Sequence, residues 1–338
     1  MDQLSRALGI GSKGSLRFEL DRASYEPGDI VTGRVSLSVS VDVKIKGALV
    51  LVVYGEEYVK FNEMHGEMVV PRKYENQLMA DQVMLFEESC TSLAVGEYDF
   101  PFRYQLRSTL PGTFHIDHRC TPDICDIEAA VKYELRLRVP LKGVLTADIK
   151  AKQPLFVNVT QTAQFIQPRT EATVQHAKLC GIIRQGYCEI SGTLDSDVCV
   201  VNESLQIRVS VTNGSNLDVK SVSVRLNETL VIRANNDRGE IKAQTCLVKK
   251  NYHGVKAGAT LTDQTYSLDL IGRSERYAVR PPVASSIVKT SHHIEIRCSF
   301  LLSPNVHVEI PVKIVASQGR EVTRISQEVV MDHMTKTV

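Results

Sequence analysis

Between Phe114 and Cys125 the chain reads FHIDHRCTPDIC, where groups that bind metals crowd together, among them His115, Asp117, His118, Cys120 and Cys125. Imidazole and thiolate suit zinc, and four such ligands close a tetrahedral site. The spacing H-x2-H-x-C-x4-C is not one of the usual ligand patterns. The favoured reading is a polar loop between strands with no metal, and His115, His118, Cys120 and Cys125 stand as the long-shot ligands. GIGSKG, from Gly9 to Gly14, has the form G-x-G-x-x-G. A dinucleotide site needs that motif after a strand and at the start of a helix, and here a strand follows it instead. No G-x-S-x-G elbow occurs, and no cysteine has a fixed base beside it in the sequence. The carboxylate pairs Glu56-Glu57 and Glu87-Glu88 read as solvated loop faces. No catalytic residue and no cofactor are expected.

The remaining chemistry is charge. Arg17, Arg34, Lys44, Lys46 and Lys60 face outward from strand-like runs, and Arg72-Lys73 follow in an expected loop. Arg17, Lys44, Lys46, Lys60, Arg72 and Lys73 are the candidate partner-binding residues, because Lys and Arg make charge-assisted hydrogen bonds to acidic or phosphorylated peptides. The competing reading is ordinary surface charge on a half-buried sheet. Forty basic against 39 acidic side chains leave a net charge of +1, which argues against a nucleic-acid partner. No run reaches the roughly 18 apolar residues of a membrane span. The first residues show no long apolar stretch and no cleavage site, so secretion is not expected. The eight cysteines follow no regular framework and read as reduced thiols in the cytosol.

The elements that must position these groups are strands. After the turn signal Pro27-Gly28-Asp29, apolar residues fall on every second position: Val31, Gly33, Val35, Leu37 and Val39. A second run places Ile45, Ala48, Val50 and Val52 near its inward face. Phe100, Phe102 and Tyr104 alternate, and so do Val131, Tyr133, Leu135, Leu137 and Val139. This is the period of strands with one wet face and one dry face. No helix-period stretch of comparable length occurs. Shifting the chain by 174 residues lays Val35 on Val209 and Val50 on Val224. Identities are few, but the apolar pattern repeats. Two copies of one strand order imply two antiparallel sandwiches, since each dry face needs a second sheet to cover it. Val35, Val50 and Tyr133 in the first, with Val209, Val224 and Ile296 in the second, are the expected core.

In order along the chain, YEPGDIVTGRVSL, VKIKGALVLVVYG, GEYDFPFRYQLRSTLPGTF and VKYELRLRVPLKG resemble the first domain of the arrestin fold, most closely the α-arrestin (arrestin-domain-containing) family. VNESLQIRVSVTNGSNLDVKSVSVRLNETL and RPPVASSIVKTSHHIEIRCSFLL are similar to the opening strand pair and the late strand of its second domain. The resemblance implies an all-β chain of two tandem immunoglobulin-like sandwiches. The expected divisions are a flexible lead at 1–14, a first sandwich at 15–162, a linker at 163–178, a second sandwich at 179–331 and a short tail at 332–338. It also implies a non-catalytic cytoplasmic adaptor that binds cytoplasmic tails of membrane proteins and couples them to endocytic or endosomal sorting, with peripheral association at endosomes or the plasma membrane. Ubiquitin-ligase machinery is the family's other partner, reached through Pro-Pro-x-Tyr. None occurs here, where Pro281-Pro282 is followed by Val283 and Ala284, so direct binding of WW domains is not expected. The alternatives are a retromer-type coat scaffold on the same fold and, from another class, a metal- or thiol-dependent enzyme using the His115–Cys125 loop.

Overall fold

A computed structural model of the chain describes residues 13–87, 92–121, 124–142, 147–159, 167–233, 239–274 and 277–316. Among them the regular elements are all strands. The first half holds β1 (Gly14–Leu20), β2 (Ile30–Val39), β3 (Val43–Lys44), β4 (Leu49–His65), β5 (Met68–Phe86), β6 (Ser92–Leu93), β7 (Gly96–Gln105), β8 (Phe114–Arg119), β9 (Ile124–Val139) and β10 (Ile149–Leu155). The second holds β11 (Arg169–Leu179), β12 (Ile183–Leu194), β13 (Val198–Val200), β14 (Ser204–Ser215), β15 (Val219–Arg233), β16 (Glu240–Val255), β17 (Thr260–Asp269), β18 (Val288–Phe300) and β19 (Val306–Val315).

Sheet β1-β2-β7 faces sheet β10-β9-β4-β5 in the first half, with β8 added beside β9 and a short β3-β6 pair below. In the second half β11-β12-β14-β17 faces β13-β19-β18-β15-β16. The repeat read from the sequence is therefore architectural. β2 and β14 occupy like places, and β4 and β15 are the inner strands flanked by β9 and β18. The turn at Pro27-Gly28-Asp29 shows the local cause. Gly28 has φ 89°, and the Asp29 amide donates to the Glu26 carbonyl at 3.0 Å. That is a type II turn, with proline at its second position and a residue free to adopt positive φ at its third.

The core follows the alternation with one correction. Val31, Val35, Leu37 and Val39 are buried, as are Val131 through Val139 on odd positions, and Val209, Val224 and Ile296. On β4, however, the core side belongs to Leu49, Leu51 and Val53, and Val50 is only half-buried on the opposite face. The ungapped shift of 174 holds for Val35 and Val209. It fails by one residue before β4, where core positions are 49, 51 and 53 against 222, 224 and 226 on β15. A one-residue slip turns a strand inside out.

A second correction concerns 163–178. Residues 169–179 form β11 and pair with β12 from Arg169↔Leu194 to Leu179↔Ile183. Its periodicity is weak because it is a sheet edge, with most side chains between Arg169 and His176 in or near solvent. The lead, the tail and most of the Gly9–Gly14 motif lie outside the described residues, and Gly14 opens β1.

Leu51→Asp puts an unpaired charge into the apolar layer and is expected to cost about 3 kcal/mol or more, while Val50→Asp costs about 1 kcal/mol. Thermal melting of the two variants checks this, and the reverse order would return the register to the one read from sequence.

Candidate functional site

β4 is the organising strand, because alternation gives it two unlike faces. Outward it presents Tyr54, Tyr58, Lys60, Asn62 and Met64. Its neighbours in register are Glu134, Ala130, Glu128 and Cys125 of β9 and Glu75 and Lys73 of β5. These side chains form a ladder of rings and charges. The Arg136 guanidinium lies 3.4 Å from the centre of the Tyr54 ring. Lys60 and Lys132 lie 4.7 Å and 4.9 Å from the centre of the Tyr58 ring, within cation–π range. The Tyr58 hydroxyl donates to Glu128 at 2.6 Å and accepts from Lys132 at 2.8 Å. Burial and then Glu128 push the Tyr58 phenol well above its ordinary value. Burial works to raise the Glu128 carboxyl, but the Tyr58 bond and the charges of Lys60, His115 and Lys132 outweigh it and hold it low.

Inward, β4 presents Glu57, which is fully buried. Its carboxylate accepts from Asn76 Nδ2 at 3.0 Å, from the Ser286 hydroxyl and from the Ile287 amide at 3.4 Å. Ser286 and Ile287 belong to the segment before β18, so Glu57 ties the first half to the second. Around it the apolar contact is shared. Leu230, Ile232, Ala243 and Val288 of the second half join a cluster with Val59, Phe61, Phe114 and Ile116 of the first. Beyond the cluster, Arg280 donates to the backbone carbonyl of His115. A buried carboxylate is tolerable only when its lone pairs are satisfied, and here neutral donors from both halves satisfy it.

The structure separates the residues expected to form one cationic patch. Arg17 lies on the other sheet, 80% exposed beside Glu19. Lys44 ends β3 and Lys46 follows it, both ahead of β4, while Lys60 is eleven residues along β4 from Leu49, roughly 36 Å at a strand's rise. Lys60 and Lys73 do face each other across β4 and β5, beside an open groove of about 330 Å³ also lined by Asn62, Arg72 and Asp126. Arg72 and Lys73 are part of β5, not of a loop, and Arg72 turns to the inner face, where it meets Glu63 at 3.0 Å. Lys60 and Lys73 are themselves matched by Glu128 and Glu75.

The four-ligand metal reading does not assemble. His115 is buried opposite Ala130 of β9 with Nε2 3.7 Å from Glu128, whereas Cys125 lies five residues from Ala130 along β9, roughly 17 Å of backbone, and touches Met64. The side chain of His118 lies outside the described residues. Among those residues no group of three or more His, Cys, Asp or Glu is placed to hold a metal. His292 and His293 point to opposite faces, His292 beside Glu228 at 3.7 Å and His293 beside Gln244 at 2.9 Å. What the sequence reading missed is Glu57, which it took for a solvated acid. The alternation of β4 could have found it, since Glu57 shares the phase of Leu51 and Val53.

Two comparisons with known proteins agree with this architecture. Residues 184–319 match the family model for the arrestin (or S-antigen) C-terminal domain. Over 329 residues, 91% of this chain, the sequence is 21% identical to "Arrestin domain-containing protein A" of Dictyostelium discoideum. The alignment covers 52% of that relative, so the chain spans about half its length.

Two outcomes are expected. Glu57→Ala and Ser286→Ala each destabilise by about 1.5–3 kcal/mol, and the double variant costs less than their sum, because both remove one charge-assisted bond; denaturant melts of the cycle measure the coupling. Glu128→Gln costs about 1 kcal/mol at neutral pH. Since the folded carboxyl is held below its unfolded value, that stabilisation is full above pH 4.5 or so and disappears as pH falls through the folded value. Wild-type and variant melting curves therefore converge in acid.

Proposed function

We propose that this arrestin-fold, α-arrestin-like chain is a non-catalytic adaptor that binds cytoplasmic segments of membrane proteins and couples them to endocytic or endosomal sorting. The same reading takes 15–162 and 179–331 as its two domains, and the pairing of β11 with β12 supports a start for the second at Arg169. The chain works at the cytoplasmic surface of endosomes or the plasma membrane, and cargo tails lie along the Lys60–Lys73 groove. The contact proposed is peripheral, and no helix among the described residues is long and apolar enough to cross a membrane.

One observation carries the membrane side of this reading. At one end of the second half, the β11–β12 turn and the β18–β19 turn are tied together, the Cys180 amide donating to the Leu302 carbonyl at 2.7 Å and the Lys178 amide to Ser303 Oγ at 3.1 Å. The joined turns expose Ile182 (82%) and Leu301 (74%), together with Ile183 and Leu302. Lys178 and Arg184 are cross-strand partners just behind, and neither 176–188 nor 298–305 contains an acid. An apolar tip with a cationic, acid-free collar supports insertion at an anionic bilayer surface.

Flotation with vesicles containing phosphatidylserine tests it. The chain is expected to float, and Ile182→Ser with Leu301→Ser is expected to cut binding at least about tenfold, since each large side chain withdrawn from water is worth about 1.5–3 kcal/mol. Phosphorylated tail peptides are expected to bind in the micromolar range, more weakly with added salt and more weakly to Lys60→Glu with Lys73→Glu. Capture of coat subunits with no affinity for tails or vesicles would instead support the coat-scaffold reading.

A further inference from the structure

At the end of β4, Met64 and Cys125 bring a thioether and a thiol together. The Cys125 Sγ lies 3.8 Å from the Met64 Sδ. The contact follows from register, because Cys125 stands opposite Asn62 and Met64 is the next residue on the same face of β4. A second thiol is close. The Thr121 amide donates to the Ile124 carbonyl at 2.7 Å, which pairs the chain on either side of residues 122 and 123 and sets Cys120 against Cys125 across the hairpin. Cys120 is exposed and Cys125 partly so, and Met64 is 41% exposed, so an ion has access to all three sulfurs. The backbone beside them is fixed. Asp126 adopts φ 53° and accepts from Asn62 Nδ2 at 3.2 Å.

We propose that Cys125, Met64 and Cys120 form a binding site for a soft monovalent ion of the copper(I) type. With metal–sulfur bonds of about 2.3 Å, two sulfurs 3.8 Å apart subtend roughly 110° at a shared ion, the angle of a tetrahedral or trigonal centre. Thiolate with thioether is a soft set that favours copper(I), whereas zinc prefers thiolate, imidazole and carboxylate. Binding exchanges protons for metal. Each cysteine S–H loses its proton to solvent as the S–M bond forms, the thioether donates a lone pair, and no electron is transferred when the ion arrives as copper(I). The occupied site ties the β8–β9 hairpin to the end of β4, beside the Lys60–Lys73 groove. It stands apart from the adaptor reading and does not depend on it.

The full chain carrying Cys90→Ser, Cys180→Ser and Cys246→Ser leaves Cys120 and Cys125 with the buried Cys188, Cys199 and Cys298. Under anaerobic reducing conditions it is titrated with copper(I) held by bicinchoninate, and cysteine alkylation is mapped by mass spectrometry. The expected result is one ion per chain, with Cys120 and Cys125 both protected. Cys125→Ser abolishes competition with the chelator, and Met64→Leu, which keeps the shape and removes the lone pair, weakens it at least about tenfold with an unchanged melting curve. X-ray absorption then shows sulfur neighbours only. Wild-type affinity in Met64→Leu, protection of one cysteine without the other, or no competition with the chelator would each overturn the proposal. So would isolation of the chain as a Cys120–Cys125 disulfide that persists in the reductant.

Discussion

The arrangement of this molecule depends on a carboxylate where a carboxylate is expensive. Glu57 sits on the core face of β4 with no exposed surface, and its donors come from Asn76 in its own half and from Ser286 and Ile287 in the other. Left without those donors it would be an unsatisfied buried charge, among the costliest defects a fold can carry. The two halves therefore cannot part without breaking the two of its hydrogen bonds that come from Ser286 and Ile287. The apolar cluster around it supplies bulk contact that many relative orientations would also supply. The hydrogen bonds are directional, so they select one orientation.

That constraint explains why the two faces of β4 differ in kind. The inner face is committed to the core and the seam. The outer face is left to carry Tyr54, Tyr58 and Lys60 with their partners on β9. Its charges are nearly matched in place, Lys60 with Glu128 and Lys73 with Glu75, so the surface is polar and ordered without being strongly basic. A surface of this sort orients a partner through many weak contacts more than it attracts one from a distance.

Much of the fold was legible in the sequence, because alternation depends on burial alone. The runs around Val35, Tyr133, Val209 and Ile296 were read with the right side inward. Failures came where alternation was silent. The shift of 174 residues carried Val50 onto Val224, but one residue fewer separates Val209 from Val224 than separates Val35 from Leu51, and period cannot reveal such a slip. β11 was hidden because an edge strand is exposed along most of its length. The site was less legible than the fold. Arg17, Lys44 and Lys60 all sit on alternating runs of the first half, yet they lie on three different sheets. Glu57 and Ser286 are 229 residues apart, and no local pattern announces that they meet. The apolar tip joins two turns more than a hundred residues apart in the chain for the same reason.

The central claim is that Glu57 makes the two halves one cooperative body, and differential scanning calorimetry tests it directly. The wild-type chain should melt in a single transition whose calorimetric and van't Hoff enthalpies agree, as a two-state unit requires. Glu57→Ala should split that transition into two, one for each half. Two transitions in the wild type, or one undivided transition in the variant, would contradict the account.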